Sequence, residues 1–99
     1  PDEARVPGVV LDTDAGRATV DARTEIDAAN DELEDIGLRL PEHDDYDTVG
    51  GFVVPTLGRI PEPGDELRHD GLHVTILEAE PTRVVRVSIR RAEPVEQAM

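Results

Sequence analysis

The sequence predicts an α+β fold in which two helices separate a first pair of strands from a second group of three. Three observations support this prediction. Short β-branched runs with alternating side chains occur at both ends of the chain, and two capped segments lie between them. Asp70-Gly71 separates two of the later runs, and such a dipeptide is a strong signal for an antiparallel hairpin. A length of 99 residues fits one domain.

The first two strands are predicted at residues 9–11 and 17–22. The segment between them, residues 12–16, contains the Asp and Gly residues that favour a turn. In the second run, Ala18 and Val20 alternate with polar neighbours. A strand, a turn and a second strand therefore open the fold.

The first helix is predicted to begin at a capping-box pattern in residues 24–27. Thr24 would be the N-cap, its hydroxyl accepting from the amide of Asp27 while the Asp27 carboxylate reaches back. Gly37 is placed to end the helix in the left-handed conformation. Four apolar residues at spacings of three, four and three form its buried face: Ile26, Ala29, Leu33 and Ile36.

The second helix is predicted to begin at Asp47 or Thr48 and to end at Gly58, with Pro61 beyond it. Pro55 lies inside this segment. A proline there has no amide hydrogen and clashes with the preceding turn, at about 3 kcal/mol in a regular helix. We therefore expect a kink or an early end.

Three strands are predicted after the helices, at residues 65–69, 72–78 and 83–91. In the last of them apolar and polar side chains alternate, so one face belongs to the core and the other to solvent. The predicted domain covers residues 8–91. Residues 1–7 and 92–99 are predicted to be flexible ends.

Composition excludes several classes of function. The 23 acidic and 10 basic residues give a net charge of −13, which repels a phosphate backbone, so we expect no nucleic-acid partner. The chain has no cysteine, which excludes disulfides, thiolate metal sites and cysteine nucleophiles. No apolar run is as long as a membrane span, so we expect a soluble chain that does not itself insert into a membrane.

The densest polar cluster supplies the candidate metal ligands. Its hard carboxylate oxygens suit Mg²⁺ or Ca²⁺, but the order of a calcium-binding loop is missing. A solvated acidic loop that caps a helix is the preferred interpretation. The four candidates are Glu42, Asp44, Asp45 and Asp47.

The remaining polar groups give no catalytic pattern. His69 and His73 lie on neighbouring predicted strands and could approach each other, yet no third ligand is fixed by spacing, so we interpret them as surface histidines rather than a zinc site. Ser88 is the only serine and lies in a predicted strand with no base nearby in sequence. We therefore predict that the chain is not an enzyme.

A cofactor could bind at the start of the second helix, where a glycine pair could expose backbone amides to a phosphate. The candidates are Thr48, Gly50, Gly51 and Arg59. The preceding carboxylates would repel an anion, so close packing of the helix at Gly50 and Gly51 is preferred. We assign no cofactor.

Two motifs carry a resemblance to a known family. Residues 44–52 read DDYDTVGGF, and residues 57–61 and 63–65 read LGRIP and PGD. Together with the segments around residues 20–27, 71–74 and 86–89, they resemble the transporter-associated domain at the C-terminus of CorC/HlyC-type magnesium and cobalt efflux proteins, some of which are called hemolysins. The similarity extends over about residues 8–91.

The resemblance implies a two-layer sandwich of a mostly antiparallel sheet and two helices, related to FAD-binding domains of the PCMH type. It implies an accessory or regulatory domain on the cytoplasmic side of a cation-efflux membrane protein, with CBS and membrane domains of the same protein as partners. Fold alone does not establish FAD binding. An FAD- or adenine-nucleotide-binding domain and a divalent-cation sensor remain alternatives, and a homodimer through an exposed edge strand stays open.

Overall fold

The computed structural model describes residues 8–92. Its elements in chain order are β1 (Val9–Asp12), β2 (Arg17–Asp21), α1 (Ile26–Leu33), a single 3₁₀ turn (Glu34–Ile36), α2 (Val49–Leu57), β3 (Glu66–His69), β4 (Leu72–Glu80) and β5 (Arg83–Arg91). The flexible ends predicted at residues 1–7 and 92–99 lie outside the described residues, except for Ala92, whose amide donates to the Gly71 carbonyl at 2.8 Å.

One five-stranded antiparallel sheet forms the first layer, with the strand order β1-β2-β5-β4-β3. The last strand lies between β2 and β4, so both strand groups join in one sheet. Val20 pairs with Val87, and Ile89 pairs with both Ala18 and Val74. These apolar side chains share the face that the helices cover.

The predicted hairpin at Asp70-Gly71 is confirmed. Asp70 has φ of 49° and Gly71 has φ of 83°. Two consecutive positive φ values are what a type I′ turn requires, and the twist of that turn matches the twist of the strands it joins. β3 and β4 are therefore held in register from the turn outward.

The core is aliphatic and lies between the sheet and the two helices. Phe52 is its only buried aromatic side chain in the described range. The helices contribute Ile26, Ala29, Leu33, Val49, Phe52 and Val53, and the segment after the 3₁₀ turn adds Leu38 and Leu40. The apolar spacing predicted for the first helix is confirmed for its first three positions, while Ile36 is only half-buried.

The predicted capping box at Thr24 is wrong. Glu25 is the N-cap of α1 and makes no side-chain capping bond. The Thr24 hydroxyl instead donates to the Gly8 carbonyl at 3.4 Å, and the first helical amide, that of Ile26, donates to the Asp47 carbonyl at 2.8 Å. The acceptor for the first helical amide therefore lies 21 residues away in sequence, which no short motif can reveal.

Of the two outcomes expected at Pro55, a kink or an early end, the early end is wrong, because α2 continues past Pro55 to Leu57. Pro55 is the seventh of nine residues, so the missing amide removes one hydrogen bond near the end of the helix. The predicted ends are confirmed. Thr48 is the N-cap, and Gly58 ends the helix with φ of 80°.

Candidate functional site

The start of α2 is bonded to the segment that leads into α1. The amide of Val49 donates to the Thr24 carbonyl at 2.9 Å, and that of Gly50 donates to the Ala22 carbonyl at 2.9 Å. A Cβ atom on Gly50 would lie 3.2 Å from both the Cβ and the carbonyl oxygen of Ala22. Close packing therefore favours glycine at position 50.

An acidic groove of about 550 Å³ lies where the two helices begin. Its residues come from the first turn of α1 and from the loop before α2: Glu25, Ile26, Asp27, Glu42, His43, Asp44, Tyr46 and Asp47. Three of the four predicted metal ligands, Glu42, Asp44 and Asp47, line this groove, whereas Asp45 does not. Within residues 8–92, no group of three or more His, Asp or Glu side chains is arranged to hold a metal ion.

Two carboxylates of the groove, Glu25 and Asp27, were missed by sequence reasoning. They belong to the pattern that was assigned to a capping box. In the structure Glu25 makes no capping bond, and both side chains are exposed at the N-terminus of α1. Carboxylates are favoured there by the partial positive charge of the helix end.

Asn30 fixes the loop that carries the other carboxylates. Its side chain is buried, accepts from the Leu40 amide at 2.7 Å and donates to the Leu40 carbonyl at 3.0 Å. Its amide nitrogen also lies 3.5 Å from Glu42, which Arg39 approaches to 3.3 Å. The sequence analysis did not identify Asn30. The sequence feature that could have indicated it is its position as a polar residue next to the apolar face of α1.

His43 is held as a hydrogen-bond acceptor at Nδ1, which receives the amide of Asp45 at 3.0 Å. Neutral His43 therefore carries its proton on Nε2. That tautomer offers a donor rather than a metal ligand at Nε2. The ring stacks on Tyr46 with a centroid distance of 6.0 Å.

Tyr46 anchors the loop of the acidic groove to the core. Its hydroxyl donates to the Pro41 carbonyl at 2.8 Å, and its ring meets Phe52 at 5.7 Å. Burial raises the pKa of the Tyr46 hydroxyl, and the nearby Asp45 carboxylate adds to this effect. The tyrosine stays protonated and acts as a structural donor.

A second groove of about 290 Å³ contains three of the four predicted cofactor-binding residues. Thr48, Gly50 and Gly51 line it, together with Arg23 and Arg83. The backbone amides expected to receive a phosphate are already occupied, because those of Val49, Gly50 and Gly51 donate to protein acceptors.

Arg59, the fourth candidate, lies outside this groove. Its guanidinium donates to Asp65 at 2.8 Å. This contact, with a smaller contribution from the Glu62 amide, lowers the pKa of the Asp65 carboxyl. The structure therefore assigns Arg59 to the loop after α2 and separates it from the glycine pair.

The two histidines of the β3–β4 hairpin lie on opposite faces of the sheet, so they do not approach each other. His69 meets the Phe52 ring on the helix side, with a centroid distance of 5.3 Å. His73 lies on the outer face, only 4% exposed, with Nε2 2.7 Å from Glu66. The prediction of a surface histidine is wrong for His73, because neighbouring side chains cover it.

The comparisons with known proteins decide the family. The model of the transporter-associated domain family CorC_HlyC matches residues 12–93. The chain belongs to this family. The resemblance stated from the DDYDTVGGF and LGRIP motifs is thereby confirmed, as is the α+β fold with one antiparallel sheet and two helices.

Relatives agree with this assignment. The chain is 35% identical over 94 residues to the inner membrane protein YoaE of Escherichia coli K12, covering 95% of this chain and 17% of YoaE. The chain therefore spans about a sixth of that relative. In the described range, no helix has the length and apolar character needed to cross a bilayer.

Solved structures share the fold. The CorC_HlyC domain from Nitrosomonas europaea superimposes with a TM-score of 0.70 at 26% identity, over 89% of this chain and 99% of that one. The domain from a Xylella fastidiosa hemolysin, solved in complex with Mg²⁺ and Mn²⁺, gives a TM-score of 0.65 at 21% identity, over 86% and 98% of the two chains.

Proposed function

We propose that this chain is a non-catalytic accessory domain that regulates a CorC/HlyC-like membrane protein, and that this protein exports Mg²⁺ or Co²⁺. One observation carries the proposal: the chain aligns over 95% of its length with an inner membrane protein, and the matched segment is 17% of that protein. A domain of this size within a larger membrane protein is suited to influence transport that other parts of the protein perform.

The hydrogen bonding of both grooves supports a non-catalytic role. The amides at the start of α2, His43 Nδ1 and the Tyr46 hydroxyl are all engaged in bonds that hold the loops together. Ser88 lies in the middle of β5 between Thr19 and Thr75. A nucleophile needs a neighbouring base, and these neighbours are hydroxyls.

In this proposal the domain works on the cytoplasmic face of the membrane, beside CBS and membrane domains of the same protein. The test compares the parent protein with a variant that lacks residues 8–91, both reconstituted in liposomes. We expect ion transport to persist without the domain, with a changed rate or a changed dependence on internal Mg²⁺. Loss of all transport at normal membrane insertion would rule out an accessory role, and unchanged kinetics would rule out regulation.

A second candidate function is a divalent-cation sensor at the acidic groove. Five carboxylates line this groove, and the Xylella relative was solved with Mg²⁺ and Mn²⁺. Hard oxygen ligands of this kind suit Mg²⁺. Binding to the folded state must raise the melting temperature.

Thermal unfolding with MgCl₂, MnCl₂ and ionic-strength-matched NaCl tests the sensor. We expect the melting temperature to rise saturably with Mg²⁺ concentration, and we expect the double variant Asp44→Asn, Asp47→Asn to lose this rise. Asp31→Asn is the matched control, because Asp31 is an exposed acid of α1 outside the groove. Equal shifts with NaCl would exclude the sensor, and a shift with FAD or ATP in parallel samples would instead support a cofactor at the second groove.

A further inference from the structure

The two edges of the five-stranded sheet differ in how they are protected. β1 and β3 are the edge strands, and no strand described in residues 8–92 pairs with their outer sides. β3 carries exposed Glu66 and Arg68, and charged side chains at an edge discourage pairing with a further strand. The first three residues of β1 are uncharged: Val9, Val10 and Leu11. The edge of β1 is therefore the one that stays open to another strand.

The side chains of β1 leave apolar surface exposed on both faces of the sheet at this edge. Val10 lies opposite Thr19 on the face without helices and is 71% exposed. Val9 and Leu11 lie on the helix side, where each packs against the core but is only half-buried. A strand beyond β1 would cover all three side chains.

The outward hydrogen-bonding groups of β1 belong to Val9 and Leu11. The amide of Asp21 donates to the Gly8 carbonyl at 3.0 Å, so these two residues form a hydrogen-bonded pair of the β1–β2 ladder. Hydrogen-bonded and non-hydrogen-bonded pairs alternate along an antiparallel ladder. Val10 therefore bonds to β2, whereas the amides and carbonyls of Val9 and Leu11 point out of the sheet.

These outward groups are arranged so that two copies of the edge fit each other. When the copies run antiparallel with Val10 on a two-fold axis, Val9 of each copy lies opposite Leu11 of the other. Each such pair exchanges two hydrogen bonds, which satisfies both outward amides and both outward carbonyls of each copy. We propose that two copies of this chain pair through β1 and join their sheets into one continuous sheet, in the self-complementary manner of a two-fold interface.

The side chains favour a second copy as the occupant of this edge. In the symmetric register the two Val10 residues form a non-hydrogen-bonded pair, whose Cα atoms are about 4.5 Å apart and whose side chains are closest. The exposed valine of each copy is then covered by the other. The acid at the end of the strand, Asp12, lies opposite Gly8 of the second copy, which has no side chain to clash with it.

The charge of the chain makes this pairing weak and dependent on salt. Each copy carries a net charge of −13, and α1, which packs against β1, has exposed acids. Along the paired strands the two Asp12 residues are about 14 Å apart, and each lies 3.7 Å from its own Arg17. Charges separated by more than about 8 Å are largely screened at physiological salt. A contact of four residues a side is also smaller than the roughly 1,200 Å² that stable complexes bury, so we expect a reversible dimer.

A single introduced cysteine tests the pairing, because the chain has none of its own. Across the two-fold axis the Cα atoms of Val10 lie about 4.5 Å apart, within the range of about 4.4 to 6.8 Å that a disulfide spans. We expect the purified Val10→Cys chain to form a disulfide-linked dimer under mild oxidation. Gel electrophoresis without reductant measures its rate of formation.

Ile60→Cys is the matched control for random collision. Ile60 is 68% exposed, close to the 71% of Val10, and lies in the loop after α2 away from the edge. We expect Val10→Cys to link severalfold faster than Ile60→Cys. Asp12→Cys is the control for register, because about 14 Å between its two copies is too far for a disulfide. It should link no faster than Ile60→Cys.

Leu11→Pro tests whether the strand ladder holds the dimer. The amide of Leu11 points outward, so proline there removes no bond to β2, and proline is tolerated on an edge strand when its nitrogen faces solvent. Adding Leu11→Pro to the Val10→Cys chain should lower the rate of disulfide formation severalfold. A cooperative circular dichroism melt verifies that this variant is folded, and the register control does not depend on it.

Salt gives a further readout. Raising NaCl from about 10 mM to about 1 M shortens the screening length from about 30 Å to about 3 Å, so the rate for Val10→Cys should rise relative to that for Ile60→Cys. A fall in this ratio would show that opposite charges, not the uncharged edge, bring the copies together.

Three other results would overturn the inference. Equal rates for Val10→Cys and Ile60→Cys would show that no second copy occupies the edge. Faster linkage at Asp12→Cys than at Val10→Cys would refute the register. An unchanged rate in folded Leu11→Pro would refute pairing through the strand. The inference does not rest on the proposed function, and none of these readouts measures transport.

Discussion

Replacing Thr48 by valine should destabilise the domain by removing the hydroxyl that caps α2. The Thr48 hydroxyl accepts the Gly51 amide at 3.1 Å, whereas the amides of Val49 and Gly50 are satisfied by backbone carbonyls. One of the first-turn amides therefore depends on this side chain, which supports a loss of about 1 kcal/mol, the middle of the range for N-cap removal. Valine keeps the shape of threonine, so packing changes little.

The expected shift in melting temperature follows from the size of the chain. At about 2.1 cal/mol/K per residue, 99 residues give an unfolding entropy of roughly 0.2 kcal/mol/K, so 1 kcal/mol corresponds to about 5 °C. Differential scanning calorimetry or circular dichroism melts measure this shift directly.

Thr24→Val is the matched control, because the sequence pattern placed a cap there and the structure does not. The Thr24 hydroxyl donates to the Gly8 carbonyl at 3.4 Å, a long contact, and that carbonyl also accepts the Asp21 amide at 3.0 Å. We expect a loss within about 0.5 kcal/mol, half of that at Thr48 or less. An equal or larger loss at Thr24 would refute the assignment of the two caps.

Three further predictions follow from single contacts. Asn30→Ala leaves a buried amide and a buried carbonyl without partners and should lower the free energy of unfolding by about 2 to 4 kcal/mol in urea titrations, and a change below about 1 kcal/mol would contradict its role. Gly50→Ala should destabilise the domain, because the added Cβ meets Ala22 at 3.2 Å, and an unchanged melt would show that the helix can shift. Arg59 lowers the pKa of the Asp65 carboxyl. The ionised Asp65 therefore stabilises the folded domain at pH values above its unfolded-state pKa, and this stabilisation is lost as the pH falls through the folded-state pKa. Arg59→Gln should therefore weaken the acid dependence of the melting temperature below about pH 4, and identical pH profiles would contradict this coupling.

Local signals predicted the fold where the decisive interaction is itself local. The Asp70-Gly71 hairpin, the left-handed Gly37 and Gly58 and the Thr48 cap all depend on residues within a few positions of one another, and the structure confirms each of them. The close approach at Gly50 was also predicted, because the preceding carboxylates disfavour the alternative role of the glycine pair, which is to bind an anion.

The failures occur where a distant group competes with a local one. The Thr24 hydroxyl donates to the Gly8 carbonyl rather than capping α1, and the first amide of α1 donates to the distant Asp47 carbonyl. In the sequence Asn30 resembles a solvent-exposed polar residue. In the structure its side chain makes two hydrogen bonds with the backbone of Leu40, ten residues later in the chain. His73 alternates outward as predicted but is covered by its cross-strand neighbours. None of these partners can be identified from spacing, since each depends on how the layers meet.

The acidic groove shows how a predicted cluster can stabilise the start of two helices, and the proposed cation sensor would have to work against that structural role. Glu25 and Asp27 lie at the start of α1, and Asp47 directly precedes the cap of α2, so both helix ends place partial positive charge beside the carboxylates. This charge lowers the repulsion among the acids without any bound ion. Because the helix N-termini already stabilise these carboxylates, a cation that enters the groove adds less stabilisation than it would to carboxylates far from a helix end. Its affinity should therefore be weak. Weak affinity suits a sensor of Mg²⁺, because a sensor must release its ion when the concentration falls.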